Sequence, residues 1–255
     1  GDHRDLHYPL RRQRQMCIRD RITAAGYGTR FLPATKSVPK EMLPMIDTPI
    51  LQYVVEEVVN SGIKDIIIVT RYGNDAVENH FDSLVELETF LERVGKKDKL
   101  EEIRKTFQMA NIAFVRQHKD LPYGNAAPIL AAKPFVGKEN FIYAYGDDLT
   151  LTKEPFFKKL IDRFENSDAE AVIGAQPVSK EDIAKLASIK FKEGTDDELD
   201  YLVEKPDPGT EPSLLGSFGR YVCSPKIFDY LGAVSYTHLR AHETVLDLVC
   251  RLLLE

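Results

Sequence analysis

The chain has 255 residues, 43% of them hydrophobic and 29% charged, with a formal net charge of -6. That length supports one large α/β domain with a substantial core, the acidic balance argues against a general polyanion binder, and no apolar run approaches the roughly 20 residues of a membrane-spanning helix. The expectation is a cytoplasmic protein with neither nucleic acid nor membrane as partner, and its three cysteines, Cys17, Cys223 and Cys250, have neither zinc-site spacing nor disulfide-scaffold density.

Residues 1–21 hold six arginines, including the run RRQRQ, and no segment apolar enough for a signal peptide. The stretch MCIRDRI stands where a strand should lead into a glycine-rich loop, yet it puts Arg19, Asp20 and Arg21 in a row. Buried parallel strands are not expected to carry such triplets. MCIRDR and the tail resemble translated sequencing-adapter read-through, so the expected native unit is 22–231, with non-native flanks at 1–21 and 232–255 that the core does not need. The alternative is a genuine basic arm and a C-terminal helix striped by Leu239, Leu246, Val249 and Leu253.

The loop AAGYGTR, residues 24–30, combines two glycines for close backbone approach with an arginine able to fork onto phosphate oxygens. Its spacing is neither GxxxxGK[ST] nor GxGxxG, which excludes a P-loop and a dinucleotide fingerprint, and plain chain reversal competes with a phosphate role. Lys40 follows in PKEMLP, presented by prolines that stiffen the backbone, and reads as a phosphate clamp or a surface lysine. Over 50–61 the residues Ile50, Leu51, Val54, Val55, Val58 and Val59 fall on one helical face, with Thr48 as cap, Pro49 at the first position and Gly62 after the end.

Strands are expected at 66–70, 112–116, 141–145 and 171–176, separated by helices. The stretch 83–108 reads as two solvated helices, a lid or insertion, with Leu84, Leu87, Leu91 and Val94 at helical intervals. Past Ser179, short strands at 188–192, 201–203 and 216–222 suggest an antiparallel patch. The expected fold class is thus α/β: a doubly wound, Rossmann-like, mostly parallel sheet with a small antiparallel patch, binding ligands beyond the carboxyl ends of its strands.

Asp147 and Asp148 follow the strand FIYAY through Gly146, at such a carboxyl end. Mg2+ takes one or two carboxylates plus phosphate oxygens and water, so one well-placed aspartate suffices. In LVEKP, Glu204 is suited to accepting hydrogen bonds from sugar hydroxyls and Lys205 to neutralising phosphate charge, with an exposed edge pair as the plain alternative.

Taken in order, AAGYGTRFLPATKSVPKEMLP, IIIVT, Gln117 followed by PYGNA, the GDD turn, VEKP and GRYV resemble the bacterial UTP–glucose-1-phosphate uridylyltransferases of the sugar nucleotidyltransferase family over nearly all of 22–231. The resemblance implies the nucleotide-diphospho-sugar transferase fold, with UTP and glucose 1-phosphate as substrates and Mg2+ as cofactor. It places the nucleotide on the backbone around Ala24, Ala25 and Gly26, with Gly28 and Thr29 in the same loop, and its phosphates against Arg30 and Lys40. Gln117 would read the base, Gly124 would let it approach, Asp147 would bind Mg2+, and Glu204 and Lys205 would hold the sugar phosphate. A homo-oligomer is left open.

The chain departs from the family where GLGHA is replaced by Pro122, Tyr123, Gly124, Asn125 and Ala126, and where a Tyr-Gly pair is replaced by Leu186 and Ala187. The family's last segment has no counterpart, so a C-terminally truncated enzyme is expected. The implied reaction is in-line attack of a sugar-phosphate oxygen on the nucleotide α-phosphorus, with pyrophosphate leaving. The rivals are the same chemistry with dTTP or CTP and another sugar phosphate, and a non-catalytic sugar-nucleotide sensor. A nicotinamide dehydrogenase lacks its fingerprint.

Overall fold

A computed structural model describes residues 19–121, 124–234 and 250–254, built around one nine-stranded sheet. Strand β1 (Arg19–Ala24) leads into the glycine-rich loop, and a pair of two-residue strands, β2 (Pro44–Met45) and β3 (Thr48–Pro49), precedes helix α1 (Ile50–Asn60). There follow β4 (Asp65–Thr70), α2 (Asp75–His80), α3 (Val85–Arg93), α4 (Lys97–Gln108), β5 (Asn111–Arg116), α5 (Ala126–Val136) and β6 (Phe141–Tyr145). The second half holds α6 (Phe156–Glu165), β7 (Ala171–Pro177), α7 (Lys180–Ile183), β8 (Ala187–Phe191), β9 (Leu199–Glu204), β10 (Leu215–Cys223), α8 (Ile227–Val234) and β11 (Cys250–Leu254).

The helical stripe expected at 50–61 is the one observed. Leu51, Val54, Val55 and Val58 are fully buried against Ile22, Ile66, Ile68 and Ile142 of the sheet. Burying each such side chain contributes about 1.5–3 kcal/mol, which outweighs the weak helix propensity of the valines. Thr48 does not cap the helix. It pairs in β3, its hydroxyl donates to Asp47 at 3.1 Å, and Pro49 occupies the cap position itself. In the 83–108 stretch Leu91 is buried while Leu84, Leu87 and Val94 stand exposed, as solvated helices require.

The strand order is β11-β7-β10-β6-β1-β4-β5, with β8 pairing β10 and β9 pairing β8. β6, β1, β4 and β5 are parallel neighbours. The chain builds outward from β1 through β4 to β5, then returns to place β6 on the other side of β1. That reversal opens a crevice beyond the carboxyl ends of β1 and β6, the usual ligand position in such sheets. The antiparallel patch exists, but β10 does more than belong to it. Its long strand inserts antiparallel between β6 and β7 and joins the patch to the main sheet.

β1 also differs from expectation. It begins at Arg19, and Asp20 and Arg21 are fully buried in the sheet's centre, in register with Ile66 and Ile67 on one side and Ile142 and Tyr143 on the other. Backbone pairing on both sides fixes the path, whatever the side chains cost. One oxygen of Asp20 accepts the Arg21 N–H at 2.5 Å and the other has no hydrogen-bond partner. Burial pushes the Asp20 carboxyl up to about 8, against the opposing pull of the Arg21 amide and guanidinium. The Arg21 guanidinium donates to the Asp20 carbonyl at 2.9 Å and lies over the Phe141 ring at 5.6 Å. At the other end, Leu253 is part of a strand parallel to β7 and not of a helix; RRQRQ, Cys17, Leu239, Leu246 and Val249 lie outside the described residues.

Candidate active site

Two adjoining cavities open at the crevice. One, of about 240 Å³, is lined by Ala25, Gly26, Lys40, Gln117, Gly124 and Asp147 among others. The second, of about 250 Å³, is lined by Arg30, Lys185, Leu186, Ala187, Glu204 and Lys205 among others. They share Asn125, Tyr145 and Asp148 as common wall. The 146–148 turn therefore sits at their junction.

Around the first cavity the loop after β1 is held by groups distant in sequence. The buried Asn74 amide donates to the Ala24 carbonyl at 2.7 Å, and the Thr35 hydroxyl donates to the Gly28 carbonyl at 2.7 Å. Gly28 has φ 62, and a Cβ there would lie 3.0 Å from both Lys40 Cβ and Thr35 Cγ2, so both conformation and space demand glycine. A Cβ on Gly26 would lie 2.9 Å from Lys40 Cε. That missing side chain is the passage through which Lys40 reaches the cavity. Gln117 is anchored at the end of β5 by its N–H, which donates to the Thr70 carbonyl at 2.8 Å.

Lys40 Nζ donates to Asp147 Oδ2 at 2.5 Å, and the two side chains are 22% and 31% exposed, so the pair faces the cavity. Asp147 is thus already in a place that favours positive charge. Asp148 is held differently. Its Oδ2 accepts the Gly219 N–H at 2.9 Å, and burial raises its pKa while that amide opposes the rise. Glu41, next to Lys40, is 1% exposed, and no other residue hydrogen-bonds its carboxylate. Burial pushes its carboxyl up to about 7, opposed by its own backbone N–H and by Lys40 and reinforced by Asp147.

Among the described residues no group of three or more acidic, histidine or cysteine side chains could hold a metal by itself. A lone carboxylate fits Mg2+ only where substrate phosphates supply the remaining oxygens, and Asp147 lines a cavity with room for them.

In the second cavity Glu204 ends β9 and Lys205 follows with φ 47, a left-handed backbone uncommon for a residue with a side chain. The Lys205 N–H donates to the Leu186 carbonyl at 2.9 Å, and its ammonium lies 3.5 Å from Glu204 Oε1. A strained backbone of this kind persists only where its surroundings hold it, and it clusters at functional sites.

The structure therefore brings Ala25, Gly26, Lys40, Gln117, Gly124 and Asp147 to one cavity and Arg30, Glu204 and Lys205 to the other. Arg30, expected beside the nucleotide phosphates, is exposed and lines the second cavity. Ala24 is buried behind the loop, and Gly28 and Thr29 shape the turn without lining either cavity. Sequence reasoning missed Asn74, Glu41 and Lys185 as neighbours of the site. Glu41 carried a signal within PKEMLP, whereas nothing in the residues around Asn74 points to a carbonyl fifty residues away.

The nucleotidyl transferase family matches residues 22–255. A UTP–glucose-1-phosphate uridylyltransferase of Staphylococcus epidermidis is 48% identical over 212 residues, 82% of this chain and 73% of that protein. A UTP-bound UGPase from Acinetobacter baumannii superposes with a TM-score of 0.81 at 31% identity, covering 94% of this chain and 86% of that one. A UDP-glucose pyrophosphorylase complexed with UDP-glucose gives a TM-score of 0.77 at 28% identity, covering 93% and 90%.

Proposed function

Because this chain belongs to the nucleotidyl transferase family, we propose that it transfers the uridylyl group of UTP to glucose 1-phosphate, giving UDP-glucose and pyrophosphate. The observation that carries this reading is the pair of cavities meeting at the 146–148 turn, in a chain 48% identical to a uridylyltransferase of that specificity. One cavity takes the nucleotide and the other the sugar phosphate, so the attacking oxygen and the α-phosphorus meet near the shared wall. Holding both partners in line removes most of the entropic barrier of a two-substrate reaction.

In this reading Ala25 and Gly26 offer backbone to the nucleotide, Gln117 faces the base, and Gly124 leaves it room. Lys40 leaves Asp147 for the triphosphate when nucleotide enters, freeing that carboxylate to hold Mg2+ together with phosphate oxygens. Mg2+ bound there would neutralise charge on the transferring and departing phosphates. Glu204 accepts hydrogen bonds from sugar hydroxyls, Lys205 holds the sugar's phosphate and orients its oxygen, and Arg30, exposed beside the junction of the two cavities, reaches for the nucleotide's phosphates. The reading sets the enzyme in the cytoplasm. It assigns the transferase to 22–231, with 1–21 and 232–255 as non-native flanks; the buried carboxyl of Asp20 favours the first flank alone, and the family match runs on to residue 255.

The test is pyrophosphate release across a panel of UTP, dTTP and CTP with several sugar 1-phosphates. UTP with glucose 1-phosphate is expected to have the highest kcat/KM. A different pair preferred by about tenfold, a difference of about 1.4 kcal/mol, overturns the assignment, and binding without any pyrophosphate release would favour a sensor.

A further inference from the structure

Beneath the 146–148 turn lies an arginine to which the transfer reaction gives no part. Arg220 on β10 is fully buried. Burying a cation costs several kcal/mol unless it is paired and hydrogen-bonded, so its partners indicate its purpose. Nε and Nη2 donate to Oε2 of Glu57 on α1 at 3.1 and 2.9 Å. Nη2 also donates to the Asp148 carbonyl at 2.7 Å, and Nη1 to the Tyr145 carbonyl at 3.4 Å and the Gly219 carbonyl at 3.1 Å.

The Tyr145 and Asp148 carbonyls flank the aspartate that faces the cleft. Gly219 adds a second grip, its N–H donating to Asp148 Oδ2 at 2.9 Å, and a Cβ at Gly219 would lie 2.4 Å from the Tyr145 ring. Two successive residues of β10 thus hold the turn on both sides of Asp147 and leave its carboxylate pointing at Lys40. Only a planar guanidinium can reach Glu57 and the turn carbonyls together; a lysine supplies one point of charge.

We infer that Arg220, braced by Glu57, is a positioning residue that fixes the 146–148 turn so that Asp147 meets the metal carried by the nucleotide. The inference rests on the uridylyl-transfer reading of the site. It gives β10 a role on the nucleotide side of a cleft whose sugar side its other residues line.

The test is a Mn2+ titration of the protein with UTP, read by electron paramagnetic resonance, for the parent, Arg220→Lys and Glu57→Gln. Circular dichroism reports folding, and UTP affinity with EDTA present gives a metal-free control. Arg220→Lys should weaken Mn2+ binding about 10- to 100-fold, the usual loss when a metal ligand's supporting partner is removed, while metal-free UTP affinity moves less than about twofold. Mn2+ binding within about twofold of the parent in a folded Arg220→Lys protein overturns the inference, as does an equal loss of metal-free UTP affinity. Should Arg220→Lys fail to fold, Glu57→Gln carries the test, with weakening of about threefold or more expected and a smaller change counting against it. A parent that binds no Mn2+ with UTP sinks the functional reading and this inference with it; a parent that binds while folded variants match it sinks the positioning role alone.

Discussion

Replacing Asp20 with valine should stabilise the protein, and by an amount that depends on pH. The Asp20 carboxyl is fully buried in β1, and burial lifts its pKa from 3.8 to about 8. A carboxyl whose folded pKa is raised adds no pH-dependent cost well below pH 3.8, where folded and unfolded chains are both protonated. Between that pH and about 8 the unfolded chain ionises while the folded one holds its proton, so stability falls as pH rises. At about 1.36 kcal/mol per unit, the interval from 3.8 to 7 amounts to about 4 kcal/mol at neutral pH.

Urea unfolding of the parent, Asp20→Val and Asp20→Asn at pH 5, 6 and 7 measures this directly. The advantage of Asp20→Val over the parent should grow by about 1.4 kcal/mol per pH unit. Asp20→Asn should lose the same pH dependence but gain less stability, because it keeps a buried polar group. A difference between Asp20→Val and the parent that stays flat from pH 5 to 7 would refute the reasoning.

Two further predictions concern turnover. Asp147→Asn should lower kcat about 10²-fold or more and raise the metal requirement, whereas Asp148→Asn should cost less, because an asparagine oxygen can still accept the Gly219 N–H; steady-state kinetics over a Mg2+ series would expose equal or reversed losses. Lys205→Ala should lower kcat about 10² to 10³-fold, as removing a charged transition-state donor does, while Glu204→Gln should chiefly raise KM for the sugar phosphate. A kcat within about twofold of the parent for Lys205→Ala would end its transition-state role.

What the sequence discloses here follows from how local each signal is. The stripe of Leu51, Val54, Val55 and Val58 and the runs 66–70 and 141–145 are readable because helix and strand periods are written in consecutive residues. The strand ends that carry Asp147 and Glu204 are legible for the same reason. That Arg30 lines one cavity with Glu204 and Lys205 is not, since it depends on residues far apart in the chain being brought together by the sheet. Asn74 and Arg220 act on carbonyls far along the chain, and no spacing rule links them. Arg19, Asp20 and Arg21 look wrong for a buried strand, yet ladders to β4 and β6 hold them there. The local rule identified a cost without deciding the path.

The insertion of β10 has a consequence for how the chain reaches this state. β6 and β7 follow one another in sequence but are not partners; a gap between them is filled only by residues 215–223. During synthesis both strands therefore emerge with open edges and wait for roughly forty more residues before either ladder can close, a delay in which long-range pairing is slow and unpaired strands invite association with other chains. A chain cut short before residue 215 would carry nearly all of the described helices and an unfinished sheet, a substrate for chaperones and proteases before it could be a catalyst.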